Sequence, residues 1–442
     1  MIFQDSIVAL SSGRLPSGIA IIRISGPQTR FVLETIAGKV PASRHASYSQ
    51  FHSHDGALLD SGIALFFPGP ASFTGEDSAE LHVHGGRAVV QAVTEAIVSL
   101  DGLRLAEPGE FTRRAFLNGK VDLLEAESLA DLVTAETEAQ RRFAVLNGEG
   151  RQGELYLDWR RRLIHARAMI EAEMDFADEA DIPGSVSATV WADVRKMIDE
   201  IRSHVRGFHR AEIIRDGFDV VILGAPNAGK SSLLNTLARR EVAIVTDEPG
   251  TTRDLVEVVL DLDGVKVRLT DTAGIREAPG KVEAIGIGRA LDRARVADLV
   301  LNLEDTTSPQ SISDSEVKGD TLRIGTKIDL LNDGHRGSVN SYDALISTAT
   351  GDGIDGLLEL VTSRAVEAVG NIGDILPSRQ RHISLLAKTV EFLESSLGLP
   401  DDQLELRSEN LRLASDRLGR ISGAVDPEDL LDVIFSQFCI GK

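Results

Sequence analysis

Val220-Val221-Ile222-Leu223 is a short apolar run that suits a buried parallel strand, and Gly224-Ala225-Pro226-Asn227-Ala228-Gly229-Lys230-Ser231 follows it without a gap. A GxxxxGK[ST] segment directly after a strand is a phosphate-binding loop. Its glycines let backbone N–H groups turn inward around phosphate oxygens, and the helix opening at Lys230 adds the positive end of its dipole. The Lys230 ammonium reaches the outer phosphates, and Ser231 is placed to bind Mg²⁺. Asn227, Ala228, Gly229, Lys230, Ser231 and Ser232 are therefore nucleotide-binding candidates. From Phe218 to about Val369 strand, Gly-rich loop and helix alternate, which predicts a mostly parallel sheet covered by helices.

About 40 residues beyond the loop, Asp271-Thr272-Ala273-Gly274 ends the alternating strand Val265-Lys266-Val267-Arg268-Leu269-Thr270. An aspartate at a strand end can hold Mg²⁺ through water, and the Gly274 N–H can reach the γ-phosphate. Between the two motifs, Gly250-Thr251-Thr252-Arg253-Asp254 supplies Thr252 to complete the Mg²⁺ shell, and Arg253 joins Lys230 as a catalytic candidate. Base recognition falls to Thr326-Lys327-Ile328-Asp329, after the strand Leu322-Arg323-Ile324, and to Ser347-Thr348-Ala349. The Asp329 carboxylate can accept hydrogen bonds from guanine N1–H and the 2-amino group, which adenine cannot offer. These motifs together predict a P-loop GTPase domain with a Ras-like, mostly parallel sheet. Two departures stand out. Thr326 sits where an asparagine usually ties the base loop to the phosphate loop, so guanine preference should persist with weaker affinity. Ile275 follows Gly274 where small GTPases place a water-orienting glutamine, so another group must position water and another cation must replace an arginine finger.

A chain of 442 residues has room for two or three domains. No apolar run approaches the roughly 18 residues of a membrane span, and the start lacks a basic region followed by a long apolar stretch, so a cytoplasmic protein is expected. Its one cysteine, Cys439, cannot form an internal disulfide. The formal charge of −21 repels nucleic acid over most of the surface, leaving local basic runs to make any such contact. Arg160-Arg161-Arg162 and Arg379-Gln380-Arg381-His382 are such runs, and on helices they more often form a solvated face.

Before the GTPase segment, β-branched runs at Ile19–Ile24 and Ala64–Phe67, separated by Gly and Pro turns, predict a small mixed α/β domain over about the first 118 residues. From Leu123 to about Ala177 and from Ser187 to His209 the texture is helical, with the acidic run Glu171 to Asp181 read as a charged helix end. Arg379 to Phe438 is helical again, which predicts an α/β block inserted into one helical domain made of two chain segments.

The phosphate loop, Gly250–Asp254, Asp271–Gly274 and the ending Phe438-Cys439-Ile440-Gly441-Lys442 together resemble the MnmE (TrmE) family of tRNA-modifying GTPases. Ile22–Gly26, Phe73–Asp77, His84–Gly86, Pro108–Phe111 and Asn118–Lys120 are similar to the family's amino-terminal segments. The resemblance implies a folate-binding and dimerisation domain at 1–119, a helical domain at 120–213 and 376–442, and the GTPase domain at 214–375. It implies that Arg23, Glu80, Lys120 and Lys442 contact 5-formyltetrahydrofolate or a related formylated tetrahydrofolate, with Cys439 close by. Arg and Lys suit the folate carboxylates, and Glu80 suits the donor edge of the pterin. Taken alone, these basic residues read as solvated and Cys439 as a small core residue or inert thiol. The family likeness further implies K⁺ in place of the arginine finger, held by Asn227, Thr246, the backbone of Glu248, and Thr251, with Glu283 orienting water. The activity implied is GTP hydrolysis coupled to aminomethyl or carboxymethylaminomethyl modification at carbon five of the wobble uridine of tRNA, as a homodimer working with the FAD-dependent MnmG (GidA).

Three other readings stay open on sequence. The nucleotide motifs alone fit a ribosome-assembly GTPase, or a nucleotide-gated dimeric scaffold without folate chemistry. Glu80, His82 and His84 alternate, so on a strand they share one face, as in some zinc sites.

Overall fold

The structure is a computed structural model that describes residues 3–175, 186–244, 257–271, 292–309, 319–331 and 341–425, together with Leu431, Ile434, Phe435, Phe438 and Gly441. The chain divides into two compact units, one of residues 1–130, 153–190 and 391–442, the other of 131–152 and 191–390.

In the first unit, β1 (Ser6–Leu10), β2 (Ser17–Ser25), β3 (Ser47–His52), β4 (Leu58–Phe67), β5 (Ser78–Gly85) and β6 (Leu103–Leu105) form a sheet ordered β3-β4-β5-β2-β1-β6. Every pairing is antiparallel except β1 with β6. Strand alternation decides what each face carries. Ala20, Ile22 and Ile24 of β2 and Ala79, Leu81 and Val83 of β5 are buried beneath α1 (Thr29–Ala37) and α2 (Arg87–Val98). Those helices answer with Val32, Leu33, Ile36 and Val90, Val93, Ile97, three or four residues apart on one stripe. Each such side chain contributes about 1.5–3 kcal/mol of burial. The intervening residues, Arg23 and Glu80 among them, necessarily point to the other face, where Arg23 lies opposite Glu80 in register.

A third helix, α3 (Glu110–Leu117), covers part of that second face with Phe111, which packs with Ile7, Ala9 and Ala106. The start of α4 (Leu123–Thr134) joins Leu431, Ile434, Phe435 and Phe438 in one apolar cluster. Gly109, at φ +68°, is required there: a Cβ would lie 2.4 Å from the Phe435 carbonyl oxygen. The Ser11 hydroxyl donates to the Gly441 carbonyl at 2.8 Å, which seats the carboxy-terminal tail at the end of β1.

The second unit is built on the sheet β12-β11-β10-β7-β9-β8. Its strands are β7 (Phe218–Gly224), β8 (Glu257–Leu262), β9 (Val265–Asp271), β10 (Leu299–Asp305), β11 (Thr321–Thr326) and β12 (Ala344–Leu345). All neighbours are parallel except β8 and β9, as the alternating sequence predicts for an inserted P-loop GTPase domain. Around it run α5 (Glu138–Gly148), α8 (Phe208–Asp216), α9 (Lys230–Leu237) and α10 (Ile354–Val369). Ala139 and Phe143 of α5 and Ala211, Ile213 and Ile214 of α8 enter the same core as β7, β9 and β10. The long helices α6 (Arg151–Asp175), α7 (Val186–Arg206), α11 (Gln380–Gly398) and α12 (Leu404–Ser422) fill the spans that the sequence reads as helical. The chain is thus α/β plus α, and no helix among the described residues is long and apolar enough to cross a membrane.

Candidate functional site: a nucleotide loop and an amino-terminal pocket

The central strand β7 delivers the phosphate loop. Val220 to Leu223 are fully buried between β9 and β10, so the chain must turn sharply when it leaves the sheet at Gly224. Gly224 takes φ +150°, and a Cβ there would lie 2.5 Å from the Leu303 carbonyl oxygen. Asn227 is held at φ +68° and faces solvent, and Gly229 at φ +95° starts α9. The Lys230 Nζ folds back and donates to the carbonyls of Gly224 and Ala225 at 2.8 and 3.0 Å. Burial holds this ammonium below the usual lysine range, with Asp271 opposing the shift. Anionic phosphate oxygens would supply the missing counter-charge. The Ser231 hydroxyl donates to Asp271 Oδ2 at 2.7 Å, although the two residues are 40 positions apart. A hydroxyl and a buried carboxylate meeting beside a phosphate loop are the hard oxygen donors that Mg²⁺ takes.

The base end is equally ordered. The Thr326 hydroxyl donates to the Ala228 carbonyl at 2.8 Å, with the Glu304 carbonyl 3.2 Å away. The tie between base loop and phosphate loop, which the residue type put in doubt, is therefore made by a hydroxyl. Lys327, at φ +61°, pairs with Asp305 at 2.6 Å. Burial would raise the Asp305 pKa, but Lys327 and Thr307 outweigh it and hold the carboxyl below its ordinary value. Asp329 accepts from the Ser347 hydroxyl at 2.5 Å, and Ser347 also accepts from the N–H of Ala349. Thr348 lies between them, half-buried. Thr246, Glu248, Thr251, Thr252, Arg253, Thr272, Ala273, Gly274 and Glu283 lie outside the described residues, as do Cys439 and Lys442.

In the amino-terminal unit, Arg23, Arg44, Glu80, Phe67, Phe73 and Thr74 are among the residues lining a pocket of about 250 Å³. Glu80 Oε1 accepts from Arg23 Nε and Nη2 at 3.1 and 3.0 Å, while its Oε2 faces His82 Nε2 at 3.3 Å. The Lys120 Nζ donates to the Pro70 carbonyl at 3.0 Å, beside the pocket wall at Ala71. Arg44 was missed by sequence reasoning, since it sits in an irregular segment with no motif around it; Phe73 belongs to the Phe73–Asp77 segment already singled out, without a role of its own.

Glu80, His82 and His84 do share a sheet face, but His84 turns to Asp60 at 2.8 Å. No group of three or more His, Cys, Asp or Glu placed to hold a metal occurs among the described residues. Of the basic runs, Arg379 pairs with Asp131 at 2.7 Å and His382 is fully buried, so that run is not a solvent-facing patch. Arg161 is exposed and lies 3.6 Å from Asp158, a neighbour on its own helix.

Comparison with known proteins places the chain in one family. Residues 6–120 match the family described as GTP-binding protein TrmE N-terminus, and residues 123–439 match the MnmE helical domain. Among curated relatives, the tRNA modification GTPase MnmE of Mesorhizobium japonicum is 66% identical over 100% of both chains. The proteins of the same name from Chelativorans sp. and Brucella anthropi are 59% and 57% identical, each over 99% of this chain and 98% of their own. With a 66% identical relative matched from end to end and both family regions in order, this chain belongs to the MnmE (TrmE) family.

Proposed function

We propose that this chain is a GTP hydrolase that, with the FAD-dependent MnmG, installs aminomethyl or carboxymethylaminomethyl groups at carbon five of the wobble uridine of tRNA. The observation that carries the reading is the presence in one chain of a complete phosphate loop and of a second pocket lined by Arg23, Arg44 and Glu80. In the GTPase unit, the loop amides and Lys230 hold the phosphates, Ser231 and Asp271 hold the Mg²⁺ side with Thr252, and Asp329 reads guanine. Asn227, Thr246, the backbone of Glu248, and Thr251 would hold K⁺, which with Mg²⁺ would supply the positive charge that phosphoryl transfer needs. Glu283 is the group that orients the attacking water. Because Ile275 cannot do so, a carboxylate from elsewhere in the segment is the chemically suitable substitute.

The amino-terminal pocket takes a formylated tetrahydrofolate as the one-carbon source. Arg23 and Lys120 meet its carboxylates and Glu80 its pterin donors. Lys442 and Cys439 belong at the same place, which the contact of Gly441 with Ser11 supports. The open sheet face supports a homodimer: Tyr48 and Ile63 lie opposite each other in register, and both are exposed. GTP hydrolysis then gates the modification through conformational change rather than performing it. A cytoplasmic address follows from a tRNA substrate. The family boundaries, with the GTPase domain at 214–375 between helical segments 120–213 and 376–442, are part of this reading.

Reconstitution tests it. Purified protein with MnmG, unmodified tRNA, GTP, the formylated folate, an amine (ammonium or glycine) as nitrogen source and a hydride donor for the flavin, which brings the formyl carbon to the methylene level, should yield modified wobble uridine, and yield should fall to background when GTP or the partner is withheld. Hydrolysis should accelerate when K⁺ replaces Na⁺ at equal ionic strength, and Glu283→Ala should abolish that gain while GTP still binds. Product formed equally without GTP would overturn the coupling, and equal rates in both salts would overturn the K⁺ assignment.

A further inference from the structure

The amino-terminal pocket has a wall that is not part of the sheet: Ala71, Ser72, Phe73 and Thr74 come from the irregular segment between β4 and β5. Such a segment holds one shape only if other elements fix it. Three residues at the end of α3 and just after it do so. The Asn118 Nδ2 donates to the Thr74 carbonyl at 2.7 Å, and Lys120 to that of Pro70. The third is Arg114, whose side chain has no solvent exposure at all. Its Nη1 lies 3.2 and 3.3 Å from the two oxygens of Glu76 and donates to the Asp5 carbonyl at 3.0 Å. Its Nη2 donates to Asp5 Oδ1 and Glu110 Oε1, and its guanidinium stands 4.3 Å over the Phe3 ring.

Glu76 carries this fixation onward to the wall. Its Oε2 accepts from the Ser25 hydroxyl at 2.8 Å, and Ser25 is 2.7 Å from the Thr74 hydroxyl, which lies 3.1 Å from that of Ser78. Thr74 and Ser78 both line the pocket. Gly75, at φ +79°, lets the segment lie flush on α3, since a Cβ there would be 3.1 Å from that of Asn118. A buried guanidinium offers five N–H groups in a rigid fork, and only such a fork serves three carboxylates and a carbonyl at once.

We infer that Arg114 and Glu76 are a positioning pair: they are not among the residues lining the pocket, but they fix the Ala71–Thr74 wall and so set the affinity of the pocket. This rests on the reading of the pocket as a folate site. The pair is separable from the rest of its network, because Arg104 shares Asp5 and Glu110 with Arg114 yet, among the described residues, does not bond to the wall.

The test is titration calorimetry of 5-formyltetrahydrofolate into the full-length protein, Glu76→Gln and Arg104→Gln, with hydrogen exchange followed over residues 68–77. Glu76→Gln should weaken binding about tenfold and speed exchange in that segment, with basal GTP hydrolysis unchanged. Arg104→Gln should change binding less than about twofold, because it loosens the network without releasing the wall. Equal weakening in both variants, or none in Glu76→Gln, overturns the inference. If the wild-type protein binds no folate, the reading of the pocket falls by itself. Exchange then decides the pair: faster exchange of 68–77 in Glu76→Gln alone supports it, and any other pattern overturns it.

Discussion

The nucleotide loop and the amino-terminal pocket are built by opposite strategies. The loop draws most of its candidate groups from Gly224 to Ser232, a stretch that one strand, one turn and one helix deliver together. The pocket gathers Arg23, Arg44, Phe73 and Glu80 from separate segments, and its shape depends on Arg114, which lies outside it. A site of the first kind follows from local backbone conformation. A site of the second kind exists only once the whole unit has folded, and it should be the more sensitive to substitutions that touch no ligand.

If the sites are this independent, substitutions in the loop should leave the pocket untouched. Lys230→Ala removes the ammonium proposed to hold the phosphates and should lower GTP turnover by about 10²–10³-fold, measured by phosphate release, with folate binding unchanged. A parallel loss of folate binding would break the comparison.

Acid should separate the two units as well. His204, on α7 in the GTPase unit, is largely buried, and burial, with His382 nearby, lowers its pKa from 6.5 to about 4 despite a backbone hydrogen bond at Ile375. A lowered folded-state pKa means that the unfolded chain binds the proton first. This contribution is present in full above pH 6.5 and is lost as pH falls towards about 4, amounting to roughly 3 kcal/mol at most. Urea titrations between those limits should show the GTPase unit weakening, and His204→Gln should flatten the slope.

At the base end, Asp329→Asn exchanges an acceptor for a donor and should weaken GTP binding about 10–100-fold in a fluorescent-nucleotide titration. Smallest of all, Thr326→Val leaves the Ala228 carbonyl without its hydroxyl donor and should cost about fivefold in GTP affinity. No change would mean that the tie between the loops has no energetic role.

The same contrast governs what could be read from the sequence. Strands β7 and β9 and helix α9 were legible because apolar run, glycine turn and helix start are contiguous, and the insertion showed as helical texture on both sides. Strand β3 was not, since Ser47–His52 buries only Ser49 and Phe51 and otherwise reads as polar coil. Arg114 was not singled out, because nothing in its own helix announces the carboxylates of Asp5 and Glu76. For Thr326 the residue type left the tie between the loops open, and only the close approach of the two loops shows a short hydroxyl reaching the Ala228 carbonyl.

The central claim, that GTP hydrolysis in this chain serves tRNA modification, is tested most directly by nucleoside mass spectrometry of bulk tRNA from cells lacking the gene, complemented with the intact protein or with Lys230→Ala. The account predicts that aminomethyl-type wobble uridines vanish, return with the intact protein and stay absent with Lys230→Ala. An unchanged nucleoside profile in the deletion strain would contradict it.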